Sequence, residues 1–155
     1  MKMLDQTALD ALTAQARQSP RLRANHNFHQ ELTEPVQRLA IAMEPDTLVL
    51  PHRHPHTWEV LFALRGRFVV LIFDDGGQVL TRCVLGEACP LLEIPAGSWH
   101  SVLSLDAGGV IFEVKQGAYQ PVAAQDVADW SAGQTAAQLN GWYAVAQAGA
   151  RYARN

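Results

Sequence analysis

Between residues 36 and 115, short apolar or alternating runs recur at regular intervals, each closed by residues that tolerate tight turns. This rhythm constrains the fold more than any other feature of the chain. The runs at 36–43, 47–51, 58–64, 67–73, 78–84, 91–94, 99–104 and 109–115 read as β-strands. Between them stand Glu44-Pro45-Asp46, Asp74-Asp75-Gly76-Gly77, Gly86-Glu87, Pro95-Ala96-Gly97 and Ala107-Gly108-Gly109, all suited to turns. Short strands at this spacing predict a mainly β protein, either a sandwich or a barrel.

The ends of the chain read differently. Residues 4–17 place Leu4, Ala8, Leu12 and Ala16 on one helical face, with Pro20 closing the segment. A polar loop carrying Arg21, Arg23, His26 and His29 follows, and the β region begins near Val36. From Asp126 onward, Trp130, Leu139, Trp142, Tyr143 and Val145 stand in an alanine-rich background that favours a C-terminal helix, packed on the barrel or on a partner subunit. No repeat of solenoid length is visible. The expectation is one domain over 1–155, with a helical and loop lead-in at 1–33, a β core at 34–119 and a tail at 120–155.

Composition narrows the partners. Hydrophobic residues at 48% against charged residues at 17% leave too little charge for disorder. A net charge of -3 supplies no basic field for a polyanion, so nucleic acid is not an expected partner. The longest purely apolar run, Phe68–Phe73, is far below the ~20 residues of a membrane span. Asp5, Gln6 and Asp10 interrupt the apolar residues at the N-terminus, unlike a signal peptide, so the expected location is cytoplasmic. Cys83 and Cys89 form no CxxC pair and read as reduced thiols.

The chemistry concentrates in HRHPHTWEVLFALRG, from His52 to Gly66, and in PAGSWH, from Pro95 to His100. In an extended segment residues i and i+2 share a face, so His52 and His54 can converge on one point. Glu59 lies an odd number of residues further on and needs a turn or bulge, placed at Pro55, to restore its direction. His56 shares the parity of His52 and His54 and could replace one of them. With His100 brought in by tertiary closure, His52, His54, Glu59 and His100 offer nitrogen and oxygen donors to one divalent metal.

These segments resemble the two motifs of the cupin superfamily. The first motif, two histidines one residue apart, a glutamate five later and a glycine seven beyond, is matched by His52, His54, Glu59 and Gly66. The second, PxGxxH, is matched by Pro95, Gly97 and His100, with departures at Cys89 (usually glycine) and Ser104 (often asparagine). Residues 35–119 further resemble the small WbuC-type group of cupin-fold metalloproteins. The resemblance implies a double-stranded β-helix, or jelly roll, with one divalent metal (Fe, Mn, Ni or Zn) per chain inside the barrel mouth, and a homodimer. It also implies a setting of cell-surface polysaccharide synthesis, hence a sugar or sugar-nucleotide ligand.

Other residues carry weaker signals. Glu113 between Phe112 and Val114, and Arg38 opposite Leu39, Ile41 and Met43, read as either pocket or solvent-facing groups. Trp58 and Trp99 each precede a donor and should face away from it. His26 and His29 read as exposed or locally bonded; Arg21 and Arg23 read as a solvated face, with an anion-binding rim as the alternative. Two functions follow: a metal-dependent enzyme acting on a small oxygenated ligand, or a non-catalytic domain that holds such a ligand through the metal. A metal-free epimerase of this fold is disfavoured because the chain keeps all four donors.

Overall fold

A computed structural model describes residues 1–153. Its elements are α1 (Gln6–Gln18), β1 (Arg23–Asn27), β2 (Val36–Met43), β3 (Glu59–Arg65), β4 (Phe68–Phe73), β5 (Val79–Leu85), β6 (Leu91–Ile94), β7 (Trp99–Ser104), β8 (Gly109–Gln116) and α2 (Ala136–Val145). The strands form a five-stranded sheet in the order β1-β2-β8-β3-β6 and a three-stranded sheet in the order β5-β4-β7. Every pairing between these strands is antiparallel. Two facing antiparallel sheets joined in this order make a mainly β jelly roll.

Three apolar clusters hold the layers. Met43, Leu61, Phe68, Val70, Leu85, Ile94 and Ile111 fill the space between the sheets. On the outer face of the smaller sheet, Val69, Leu71, Phe73, Val79 and Leu103 pack beneath Leu139 and Tyr143 of α2. On the outer face of the larger sheet, Ala40, Ala42 and Val110 meet Leu9, Leu12 and Ala16 of α1. The uninterrupted FVVLIF of β4 follows from this arrangement: alternate side chains face the interior and α2, so both parities are buried.

Most expected strands stand where the sequence placed them, but four elements need correction. The β region begins at Arg23, not near Val36: β1 pairs with β2 from Arg23↔Met43 to Asn27↔Leu39, inside a segment that reads as a loop. Residues 47–51 form no strand. The carbonyls of Thr47 and Val49 are satisfied by side chains instead, since Asn140 donates to Thr47 at 3.1 Å, while Ser101 and Tyr143 donate to Val49 at 2.8 and 3.3 Å; Pro51 O accepts the Ala128 N–H at 2.8 Å.

The N-terminal helix starts later than expected, capped by Asp5, whose carboxylate accepts from the Ala8 N–H at 2.8 Å. Its buried stripe is Leu9, Leu12, Thr13 and Ala16. In the C-terminal region, two single 3-10 turns at Ala124–Asp126 and Asp129–Ser131 precede α2, which is only ten residues long and packs on the barrel. Beyond it the chain returns along β5, where Val79 N–H donates to Ala150 O at 2.8 Å and covers a sheet edge. Among the described residues, no helix is long and apolar enough to cross a membrane.

Candidate metal centre

His52 and His100 face each other across an isolated antiparallel bridge, exchanging backbone hydrogen bonds of 3.0 and 2.8 Å. Direct opposition puts both side chains on one face, so their ring centroids lie 4.4 Å apart. His54 follows two residues on in extended chain, 5.0 Å from His52 and 5.7 Å from His100, ring to ring. A turn at Pro55-His56 then redirects the chain into β3, whose first residue is Glu59.

The second motif arrives by a turn of its own. Gly97 has φ +79°, a conformation that side-chain-bearing residues rarely adopt, and its N–H donates to His54 O at 2.8 Å. That bond ties the PAGSWH turn to the first motif. His100 then enters β7 with its side chain on the inner face.

One donor nitrogen from each of His52, His54 and His100 falls within 4.8 Å of the other two. Glu59 joins them: its carboxylate oxygens lie 3.0 Å from His54 Nε2 and 3.2 Å from His100 Nε2. Donors bound at about 2.1 Å and at right angles on one metal sit about 3 Å apart, so these separations match neighbouring ligands of a single ion. The tautomers fit as well. His52 Nδ1 lies 2.8 Å from Leu50 O and His100 Nδ1 lies 2.9 Å from Ser98 O. A carbonyl only accepts, so each Nδ1 carries a proton, and in the neutral ring each Nε2 keeps its lone pair for a metal.

The electrostatics favour the same state. Burial, reinforced by the charge of His100, lowers the His52 pKa to about 3, so its imidazole is neutral at any ordinary pH. For Glu59, burial alone would raise the pKa; with no metal bound, hydrogen bonds from His100 and His54 in their protonated forms and the charges of His100 and Lys115 outweigh it and hold the carboxyl well below its usual range. A neutral imidazole and an ionised carboxylate are the forms that ligate.

Lys115 completes the cluster and was not signalled by either motif. It is the cross-strand neighbour of Glu59 on β8, and its Nζ lies 3.0 Å from Glu59 Oε1 and 3.1 Å from His54 Nε2. Strand parity held the only clue, because Lys115 shares a face with Glu113. Both line the same chamber of ≈190 Å³ as His52, His54, Glu59 and His100, walled on its other sides by Ile41, Met43, Leu61, Val102 and Ile111. Burial, with the charge of Glu59 as a second cause, pushes the Glu113 carboxyl up to about 7.

The remaining candidates separate cleanly. Arg38 lies on the opposite face of β2, ion-paired to Glu34, and lines none of the cavities around the cluster. His56 is exposed and stands at the rim of an outer cavity of ≈700 Å³, apart from the three clustered histidines. Trp99 faces away from the chamber, donating to Asp75 Oδ1 at 2.9 Å with the Arg53 guanidinium 4.6 Å above its ring. His29 is buried and bonded to the Arg38 backbone rather than exposed, while Arg21, which is exposed, and the half-buried Arg23 line a third cavity.

A sequence-family model described as a domain of unknown function, DUF6016, matches residues 4–85, a span that includes His52, His54 and Glu59 and stops short of His100. No curated protein sequence matches the chain. Among solved structures, TT1209 from Thermus thermophilus is similar over 76% of this chain and 98% of its own, at 24% identity and a TM-score of 0.55. KdgF from Halomonas sp. is similar over 66% of this chain and 85% of its own, at 14% identity and a TM-score of 0.50. An oxalate oxidase in complex with the substrate analogue glycolate is similar over 67% of this chain, at 18% identity and a TM-score of 0.52; the chain spans 55% of its length. At such identities the likeness shows the fold alone, a cupin jelly roll.

Proposed function

The chain belongs to the DUF6016 family, and from its own site we propose that it is a divalent-metal-binding cupin, an enzyme acting on a small oxygenated ligand. The observation that carries this is the convergence of His52, His54 and His100, their donor nitrogens within 4.8 Å of one another, with Glu59 in contact with two of them. In this reading all four side chains hold the ion, and Fe, Mn, Ni and Zn all accept such imidazole and carboxylate donors. The bound metal would polarise a carbonyl or hydroxyl oxygen, or lower the pKa of a water.

The chain's own residues supply the rest. Lys115 holds Glu59 Oε1 in place, and Glu113, with its pKa near 7, can take up or release a proton at the chamber wall. Such a group beyond the metal donors favours an enzyme over a passive binder. Ile41, Leu61, Val102 and Ile111 keep bulk water from the reacting end. A chamber of ≈190 Å³ is smaller than the ~300–1,000 Å³ of typical ligand pockets, so it takes a compact ligand or one end of a larger one. A sugar or a sugar nucleotide used in surface polysaccharide synthesis fits that description, with the bulkier part in the outer cavity.

The test is metal content followed by turnover. The protein reconstituted with Fe, Mn, Ni or Zn is expected to hold close to one ion per chain, and His52→Ala and His100→Ala to hold far less. Full metal content in both variants would reject the ligand assignment. Turnover on a panel of sugars and keto acids should disappear with the metal; stabilisation by a panel member without turnover would instead mark a binding domain.

A further inference from the structure

Arg21 and Arg23 differ from the other described arginines. Six of those face a carboxylate, and the seventh, Arg82, donates to Ala144 O at 3.2 Å. The guanidinium groups of Arg21 and Arg23 have neither kind of partner among the described residues, and both line one cavity of ≈400 Å³. Burial and the charge of Arg21 together hold the Arg23 pKa below its usual value. Two cations share a concave site without a counter-charge at hydrogen-bond distance, an arrangement that an anion would relieve.

A buried ring nitrogen without a partner lines the same cavity. His29 is 4% exposed, and its Nδ1 lies 3.0 Å from the Arg38 backbone nitrogen and 3.1 Å from the Arg38 carbonyl oxygen, which ties the ring to β2 through that one atom. His29 Nε2 is buried and has no hydrogen-bond partner, and His29 lines the cavity with the two arginines. Strand β1 contributes the rest. Arg23, Asn25 and Asn27, at i, i+2 and i+4, all line the cavity, so the face of β1 that could have been apolar is polar instead. The cavity adjoins the histidine chamber, since Arg23, Ile41, Glu113, Lys115 and Tyr119 line both.

We propose that this cavity is an oxyanion subsite, in which Arg21 and Arg23 hold the phosphate or carboxylate of a polyhydroxylated ligand beside the unpartnered Nε2 of His29. The amides of Asn25 and Asn27 meet its hydroxyls, and its other end reaches the chamber of His52, His54 and His100. Only that last clause rests on the metal-centre reading. A guanidinium pair matches the planar, bidentate geometry of either oxyanion, and neutral sugars lack the group it would hold.

The test is isothermal titration of the full chain, stripped of metal and freed of chelator, with glucose 6-phosphate, gluconate, inorganic phosphate and glucose. Glucose 6-phosphate or gluconate should bind at least tenfold more tightly than glucose, and the stronger of the two identifies the oxyanion. The Arg21→Gln/Arg23→Gln double variant should lose at least tenfold of that affinity, while Arg151→Gln keeps it. Neither substitution of the double variant removes a described hydrogen bond, and Arg21→Gln alone, at an exposed position, provides a second variant should the double one be unstable. Equal affinity for glucose and the charged sugars, equal affinity of wild type and both variants, or no saturable binding would overturn the subsite. Metal content of the same variants is read separately: loss of the subsite leaves it at the wild-type level, and failure of the metal reading leaves the arginine-dependent binding intact.

Discussion

Glu113 and Lys115 sit two residues apart on β8 and face one chamber, yet their surroundings drive them in different directions. Lys115 meets the ionised Glu59 directly, whereas Glu113 is opposed across β3 by Leu61 and feels Glu59 as a like charge. With its folded pKa raised to about 7, Glu113 keeps its proton between about pH 4.5 and 7, where the unfolded chain gives it up. Stability from this group is therefore complete below the unfolded pKa and is lost as pH rises through 7. In metal-free protein, wild type should lose roughly 1–3 kcal/mol relative to Glu113→Gln between pH 5 and pH 8. Urea titrations at the two pH values measure it; parallel losses in both proteins would show that Glu113 is not the titrating group. At this scale the convergence of His52, His54, Glu59 and His100 was legible from motif spacing, with a turn at Pro55 supplying what parity alone did not give Glu59. Lys115 and His29 were not, because their partners come from other strands or from space that only the closed barrel creates; for Arg23 the sequence offered an anion-binding rim as the alternative to a solvated face.

The element that sequence patterning missed, β1, and the one it wrongly supplied, residues 47–51, fail for related reasons. A strand is recognised by an apolar face, and β1 turns Arg23, Asn25 and Asn27 toward a cavity, with only Ala24 and His26 on its other side. The run Thr47-Leu48-Val49-Leu50 has strand-like composition, yet the carbonyls of Thr47, Val49 and Leu50 are bonded by Asn140, Ser101, Tyr143 and the His52 ring rather than by the backbone of a neighbouring strand. The segment is thus held by α2 and by β7, and it positions His52. Helix α2 belongs to the scaffold of the site for that reason: Leu139 is fully buried beneath β4 while Asn140 and Tyr143 reach the 47–50 segment. Leu139→Ala should cost about 2–5 kcal/mol of stability, and Asn140→Ala should weaken metal retention with a smaller loss of stability. Chemical denaturation with metal analysis separates the two; a Leu139→Ala cost within about 0.5 kcal/mol would mean that α2 is dispensable.

Across the whole molecule the proposed metal donors come from two distant stretches, 52–59 and 100, so a bound ion would join the 52–58 segment, β3 and β7. Three apolar clusters already close the barrel around that junction, which distinguishes it from small domains that fold only with metal. Metal should therefore add stability to a structure that stands without it. At a free ion concentration 100 times Kd the gain is about 2.7 kcal/mol, roughly 5–10 °C in Tm for a domain of this size. His100→Ala should lack this increment while unfolding cooperatively on its own. As pH falls the increment should shrink, because ligands must give up protons to bind; His52, with its pKa near 3, is not the group that limits it. Calorimetry of stripped and reconstituted protein checks both points. A stripped protein without a cooperative transition or near-ultraviolet dichroism would mean that the ion, rather than the sheets, closes the barrel.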